Sequence, residues 1–218
     1  MRMSNYIKPA DDRNIVIAAG LIKNGQVVVF PTETVYGLGA DASNDLAVAK
    51  LFQIKGRSQK KPIQILVLNL EMAKEYAVFS KNAEKLANEF WPGPLTIVLP
   101  MRENSSISQL ISPGSGNIGI RVPANKHALN LLRALGKPIA ATSANFSGRE
   151  SSVNAIEAAG VAGSLVPMIL DGGRCAIGQS STVIDMTTNP PIILREGALP
   201  IEELNEYLPR AAKPAAIL

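Results

Sequence analysis

The spacing of apolar residues along this chain changes repeatedly between a helical period and short, nearly unbroken apolar runs, and each change predicts an element. Over residues 12–25 the positions Ile15, Ala18, Ala19 and Ile22 fall on one helical face; Asp11 and Asp12 can cap the start, and Gly25 stands just past the end. A β-branched run over 26–30 predicts a buried strand, which Pro31 ends. Helical spacing returns over 44–55, capped by Ser43 or Asn44, with Leu46, Ala49, Leu51, Phe52 and Ile54 on or near the buried face. A further buried strand is expected over 62–68, then helices around 70–76 and 80–90. Trp91-Pro92-Gly93-Pro94 forces a rigid turn that aims a strand over 95–99. Residues 101–116 are polar and glycine-bearing, a loop long enough to be a lid. Strands over 118–122, 138–141, 167–170, 183–186 and 191–194 alternate with helices over 125–135, 152–159 and 200–208.

Composition narrows this picture little. At 218 residues and 46% apolar content, one large domain with a sizeable core is expected, and no repeat, low-complexity segment or linker divides the chain. Lys and Arg total 22 against 18 Asp and Glu; the net +4 does not by itself indicate nucleic acid and fits a local anion site equally well. With Cys175 alone no internal disulfide can form, and with His127 alone no zinc site of the Cys/His type can be built. The first residues lack the apolar core of a signal peptide, and no run approaches the roughly 18 apolar residues of a spanning helix, so a soluble protein of the reducing cytoplasm, without membrane contact, is expected.

Candidate chemistry collects at strand ends. Thr32, Glu33, Thr34 and Tyr36 follow the first buried strand, as ligand-binding side chains often do in open α/β sheets, although a second strand with alternating faces fits the same residues. Gly37 to Ala42 formally matches a dinucleotide-binding turn, but the position expected to hold an acid holds Lys60 and Lys61. Gly114 to Gly119 matches more fully, yet it leads into a strand and reads as a plain loop. Lys55, Arg57, Lys60 and Lys61 cluster after the helix over 44–55; they can offset its dipole or, with Gly56 allowing close approach, hold a phosphate. Arg121 lies in an otherwise apolar strand and needs a partner, a protein carboxylate or a ligand anion, with the ligand favoured because acids are scarce nearby. Arg195 ends another apolar strand, where pairing with Glu196 or another acid is the plain alternative. Thr142, Ser143 and Asn145 form a second hydroxyl and amide cluster after the strand over 138–141. The chain has no Walker loop, no H-E-x-x-H and no nucleophile elbow. What remains suits chemistry by positioning and charge neutralisation, and a phosphorylated ligand is the expectation from the residues alone.

Taken together, PTETVYGLG, K-G-R followed by KKPI, WPGPLT, IGIRVP, the S-A-N of ATSANFSG, and STVID followed by ILREG resemble the YrdC/Sua5 family of threonylcarbamoyl-AMP synthases, over about residues 15–199. The resemblance implies a single α/β domain, residues 11–208, with a twisted mixed parallel and antiparallel sheet curved around a basic cavity and flanked by helices. Residues 209–218 would be a tail, and the chain would be the one-domain form. It implies synthesis of L-threonylcarbamoyladenylate and pyrophosphate from L-threonine, bicarbonate or CO2, and ATP, with Mg2+ carried by ATP, for the N6-threonylcarbamoyl group of adenosine 37 in tRNA. By the same resemblance Lys55 and Arg57 are the catalytic pair; Lys61, Ser143, Asn145 and Arg195 join them in holding ATP. Thr32, Tyr36, Arg121, Thr142 and Ser181 hold threonine, and no residue is assigned as a metal ligand. The product is expected to pass to the tRNA threonylcarbamoyl-transferase machinery, with weak tRNA contact possible. The competing reading is an RNA-binding module acting on tRNA or rRNA; the basic residues are few for it, and aromatic content is 5%.

Overall fold

The computed structural model describes residues 6–208. Helix α1, Asp12–Lys23, starts where Asp11 accepts a hydrogen bond from the Asn14 amide, and it buries Ile15, Ala18, Ala19 and Ile22. It packs beside α5, Lys126–Leu135, which buries Ala128, Leu131, Leu132 and Leu135 and is capped by Asn125. These two helices cover one face of the sheet, over Val28, Phe30, Leu66, Ile139 and Ala141. A larger cluster covers the other face, centred on Tyr36, Leu38, Leu51, Phe52, Ile65, Leu95 and Ile97. Burying one such side chain is worth roughly 1.5–3 kcal/mol, so the helical faces are held chiefly by this packing.

The sheet has ten strands in the order β1-β8-β2-β3-β7-β4-β6-β5-β9-β10. In chain order they are β1 Ile7–Pro9, β2 Val28–Phe30, β3 Gly37–Asp41, β4 Gln64–Leu66, β5 Leu95–Pro100, β6 Asn117–Arg121, β7 Ile139–Ser143, β8 Ile169–Asp171, β9 Thr182–Asp185 and β10 Ile192–Arg195. Parallel pairs (β1 with β8, β4 with β6, β5 with β9) mix with antiparallel ones (β2 with β3, β3 with β7, β5 with β6), which is the mixed α/β sheet expected. The remaining helices are α2 Asp45–Lys55, α3 Leu70–Tyr76, α4 Lys81–Phe90, α6 Ala155–Ala162 and α7 Ile201–Tyr207.

Three features depart from the sequence reading. The glycine-rich residues after Tyr36 form a central strand, β3, paired on both sides. Gly39 suits the close approach there: a Cβ would stand 2.5 Å from Cε1 of Phe30 and 2.8 Å from Cγ2 of Ile139, and both side chains would have to shift. Leu46 is 83% exposed, and the buried face of α2 runs instead through Ala47, Val48, Leu51, Phe52, Ile54 and Lys55. The loop over 101–116 is fastened along its length: Ile107 and Ile111 are buried, and the Ser108 amide donates to the Ala42 carbonyl. The expected tail, 209–218, lies outside the described residues.

Candidate functional site

Strands β4, β6, β5 and β9 present Gln64, Gly119, Thr96 and Val183 to one cavity of about 340 Å³, a size suited to small ligands. Its charged lining is Arg57, Arg121, Arg195 and Asp185, with Thr142 and Ser143 from the end of β7. Helix α2 delivers the first basic residues. It starts at Asn44, whose side chain accepts from the Ala47 amide, and stops at Gly56, whose left-handed backbone (φ 62°) turns Arg57 out of the helix. Arg57 is then fixed by donating from Nη2 to the Pro62 carbonyl at 2.9 Å.

Lys55 does not reach the cavity. Only 2% exposed, its Nζ donates to the Ser143 carbonyl (2.6 Å), the Ser143 hydroxyl (3.1 Å), the Asn145 carbonyl (3.2 Å) and Asn145 Oδ1 (2.6 Å). Ser143 in turn donates its hydroxyl to Asn145 Oδ1 at 2.6 Å, and Asn145 Nδ2 donates to the Arg149 carbonyl. Of the K-x-R pair it is therefore Lys55 that meets Ser143 and Asn145, binding the end of β7 to the end of α2, while Arg57 is held by the Lys61 and Pro62 carbonyls. Burial pulls the Lys55 ammonium down to about 8, and the charges of Arg57 and Arg195 add to the effect.

Arg121, 3% exposed, finds a protein carboxylate rather than waiting for a ligand one, which amends the expectation for this residue. Its Nη2 meets Glu33 Oε1 at 2.6 Å and the Thr34 hydroxyl at 3.0 Å, and its Nε donates to the Gly93 carbonyl at 3.0 Å. No described residue bonds Nη1, and Arg121 lines the cavity. Glu33 Oε2 is buried without a hydrogen-bond partner, so the carboxylate is committed to Arg121 through its other oxygen.

Arg195 donates from Nε and Nη2 to the Ser181 carbonyl (3.0 and 2.8 Å) and from Nη2 to the Ser181 hydroxyl at 3.1 Å. Burial lowers its pKa first, and Arg121 and Arg57 lower it further. Arg195 thus feels both other arginines across the cavity, a repulsion that a bound anion would relieve.

The structure brings Arg57, Arg121, Thr142, Ser143, Ser181 and Arg195 to one lining and leaves Thr32, Tyr36, Lys55, Lys61 and Asn145 out of it. Thr32 Oγ1 is taken up by its own turn, donating to the Val35 carbonyl at 2.6 Å and accepting from the Thr34 and Val35 amides. The Tyr36 hydroxyl donates to the Gly173 carbonyl at 2.7 Å and accepts from the Gly172 amide, and burial raises its pKa. Lys61 is exposed on the loop that holds Arg57. Sequence reasoning missed Gln64 and Thr96, whose signal was a polar residue inside each of two apolar strands.

The Sua5/YciO/YrdC family model, described as telomere recombination, matches residues 20–197. The chain is 44% identical over 208 residues to the threonylcarbamoyl-AMP synthase of Pyrococcus abyssi, covering 94% of this chain and 60% of that protein. It is 39% identical over 198 residues to a putative threonylcarbamoyl-AMP synthase of Mycobacterium tuberculosis, covering 90% and 89%. The crystal structure of P. abyssi Sua5 complexed with L-threonine superposes with a TM-score of 0.90 at 41% identity, covering 96% of this chain and 61% of that one. The chain spans about 60% of the length of the Pyrococcus protein. Motifs and this breadth of similarity agree: the chain belongs to the Sua5/YciO/YrdC family.

Proposed function

We propose that the chain is an L-threonylcarbamoyladenylate synthase, a nucleotidyltransferase that makes threonylcarbamoyl-AMP and pyrophosphate from L-threonine, bicarbonate or CO2, and ATP. The observation that carries this reading is the cavity on which Arg57, Arg121 and Arg195 converge, each with no bond from Nη1 to a described residue. Relatives that carry the synthase name, and a neighbour solved with L-threonine bound, support it.

In this reading Arg121 Nη1 receives the threonine carboxylate, with Thr142 and Ser181 facing the rest of the amino acid. The neutral threonine amine adds to CO2, forming an N–C bond and giving up a proton to solvent. A carbamate oxygen then attacks the α-phosphate, and the bond to pyrophosphate breaks. With bicarbonate as the carbon source, that proton leaves instead in the one water molecule released. Arg57 and Arg195 hold the phosphates, Lys61 adds positive charge on the exposed loop that holds Arg57, and Lys55 positions Ser143 and Asn145 at the end of β7. Among the described residues no group of three or more His, Cys, Asp or Glu could hold a metal. Magnesium would enter with the nucleotide, as the substrate Mg·ATP. The product would pass to the machinery that transfers threonylcarbamoyl to tRNA.

Purified protein is expected to release pyrophosphate from Mg·ATP only when threonine and bicarbonate are both present, and to lose this in Arg121→Ala and Arg57→Ala. Release no greater than in a threonine-free control overturns the reading. RNA affinity that falls steeply with salt and ignores ATP would instead favour the RNA-binding alternative.

A further inference from the structure

Along the cavity runs a chain of hydrogen bonds that joins β4, β5 and β10 through Ser181, the residue before β9. Thr96 on β5 donates its hydroxyl to Gln64 Oε1 on β4 at 2.6 Å, although β6 lies between those strands. The crossing is possible because β6 carries Gly119 at that point: a Cβ there would stand 3.3 Å from Thr96 Cγ2 and 3.6 Å from Gln64 Cβ. Thr96 and Ser181 share a second bond, Oγ1 to Oγ, at 2.9 Å, and Ser181 Oγ also receives Arg195 Nη2 at 3.1 Å.

The direction of this chain follows from proton counting. A hydroxyl has one proton, and that of Thr96 goes to Gln64, so the proton between Thr96 and Ser181 must come from Ser181. Arginine can only donate. The order is therefore Arg195 to Ser181 to Thr96 to Gln64, and it ends on the amide oxygen. The Gln64 NH2 group is left over. No described residue accepts from it, it is not among the buried unpartnered atoms, and Gln64 lines the cavity. On β4, Gln64 stands two residues before Leu66, the register partner of Arg121, while the relay connects it to Arg195. Gln64 thus lies on the strand beside that of the arginine proposed for the amino-acid carboxylate and is tied through the relay to an arginine proposed for the phosphates.

We propose that Gln64 is a substrate-recognition residue whose amide NH2, oriented by the Arg195–Ser181–Thr96 relay, binds the oxygens of the one-carbon unit, bicarbonate or the carbamate formed from it. This rests on the synthase reading, which assigns residues to threonine and to ATP but none to the carbon source. A neutral double donor suits that role, since the carbamate oxygen must remain nucleophilic and a cation would quench it.

The experiment is steady-state pyrophosphate release with bicarbonate, threonine and Mg·ATP varied in turn, on wild type, Gln64→Glu and Gln64→Met. Gln64→Glu can still accept from Thr96 but presents an anionic oxygen where the NH2 was. The expected result is a KM for bicarbonate raised about tenfold or more in both variants, with KM for Mg·ATP within about twofold of wild type. Gln64→Met, uncharged and of similar length, carries the test if Gln64→Glu fails to fold. Active wild type with bicarbonate KM unchanged in a folded variant, or with all three KM values raised alike, overturns the inference and leaves the synthase reading standing. An inactive wild type overturns the synthase reading itself, and the inference with it.

Discussion

Lys55 is a cation aimed into the protein. Its four oxygen acceptors belong to Ser143 and Asn145, and its ammonium is pulled down to about 8 by burial and by Arg57 and Arg195. The sign of the pH effect follows. Below pH 8 the ammonium is present and the β7 end is held; as pH rises the amine loses a donor and sets a lone pair against carbonyl oxygens. Folding behaves oppositely, because a base whose folded value lies below its ordinary 10.5 is a burden when charged, and that burden fades between about 8 and 10.5. Affinity for Mg·ATP is therefore expected to fall across pH 8–10 while this lysine adds no loss of stability. Isothermal titration alongside thermal unfolding checks it; affinity flat across that range would remove Lys55 from the nucleotide site. In the sequence Lys55 and Arg57 looked like one clamp, but their side chains diverge because Gly56 ends the helix between them.

Caps and the helical period made the helices legible. Asp11 and Asn44 each accept the backbone N–H three residues on, as their residue types foretold, and Asn125 does the same. Strand β3 was not legible, because GLGAD carries no β-branched residue and its place is decided by what packs on it. Phe30 fills the space above Gly39, so Gly39→Ala is expected to cost about 1–3 kcal/mol, read as a lower urea midpoint with an unchanged slope. Wild-type stability in that variant would mean the Phe30 ring moves aside freely. Leu46 was misassigned because Ala47 and Val48, though smaller, sit nearer the centre of the buried face of α2. The site was half legible for a related reason. Arg121 and Arg195 stand out as charges in apolar strands, whereas Glu33, Gln64 and Thr96 matter only once the strand order sets them beside their partners.

At the scale of the molecule, the Glu33–Arg121 pair joins segments 88 residues apart, fastening the turn after β2 to β6 across the intervening strands. Both side chains are buried, so removing one partner strands the other. Glu33→Met and Arg121→Met are each expected to lose roughly 3–5 kcal/mol, while the double variant regains most of it. Threonine binding should separate the two roles, surviving in neither Arg121→Met nor the double variant however stable that is. Urea unfolding and threonine titration on the four proteins decide it; a double variant as unstable as the two singles combined would mean the pair does not act as a unit. The inward turn of Lys55 has a last consequence. With that ammonium committed to the protein, Arg121 already matched by Glu33 and Asp185 in the same lining, the guanidiniums of Arg57 and Arg195 offer a triphosphate too little charge for electroneutrality. A divalent ion arriving with the nucleotide would be the counter-charge the fold itself does not supply, and its departure with pyrophosphate would leave the adenylate, with its smaller charge, matched to the arginines that remain.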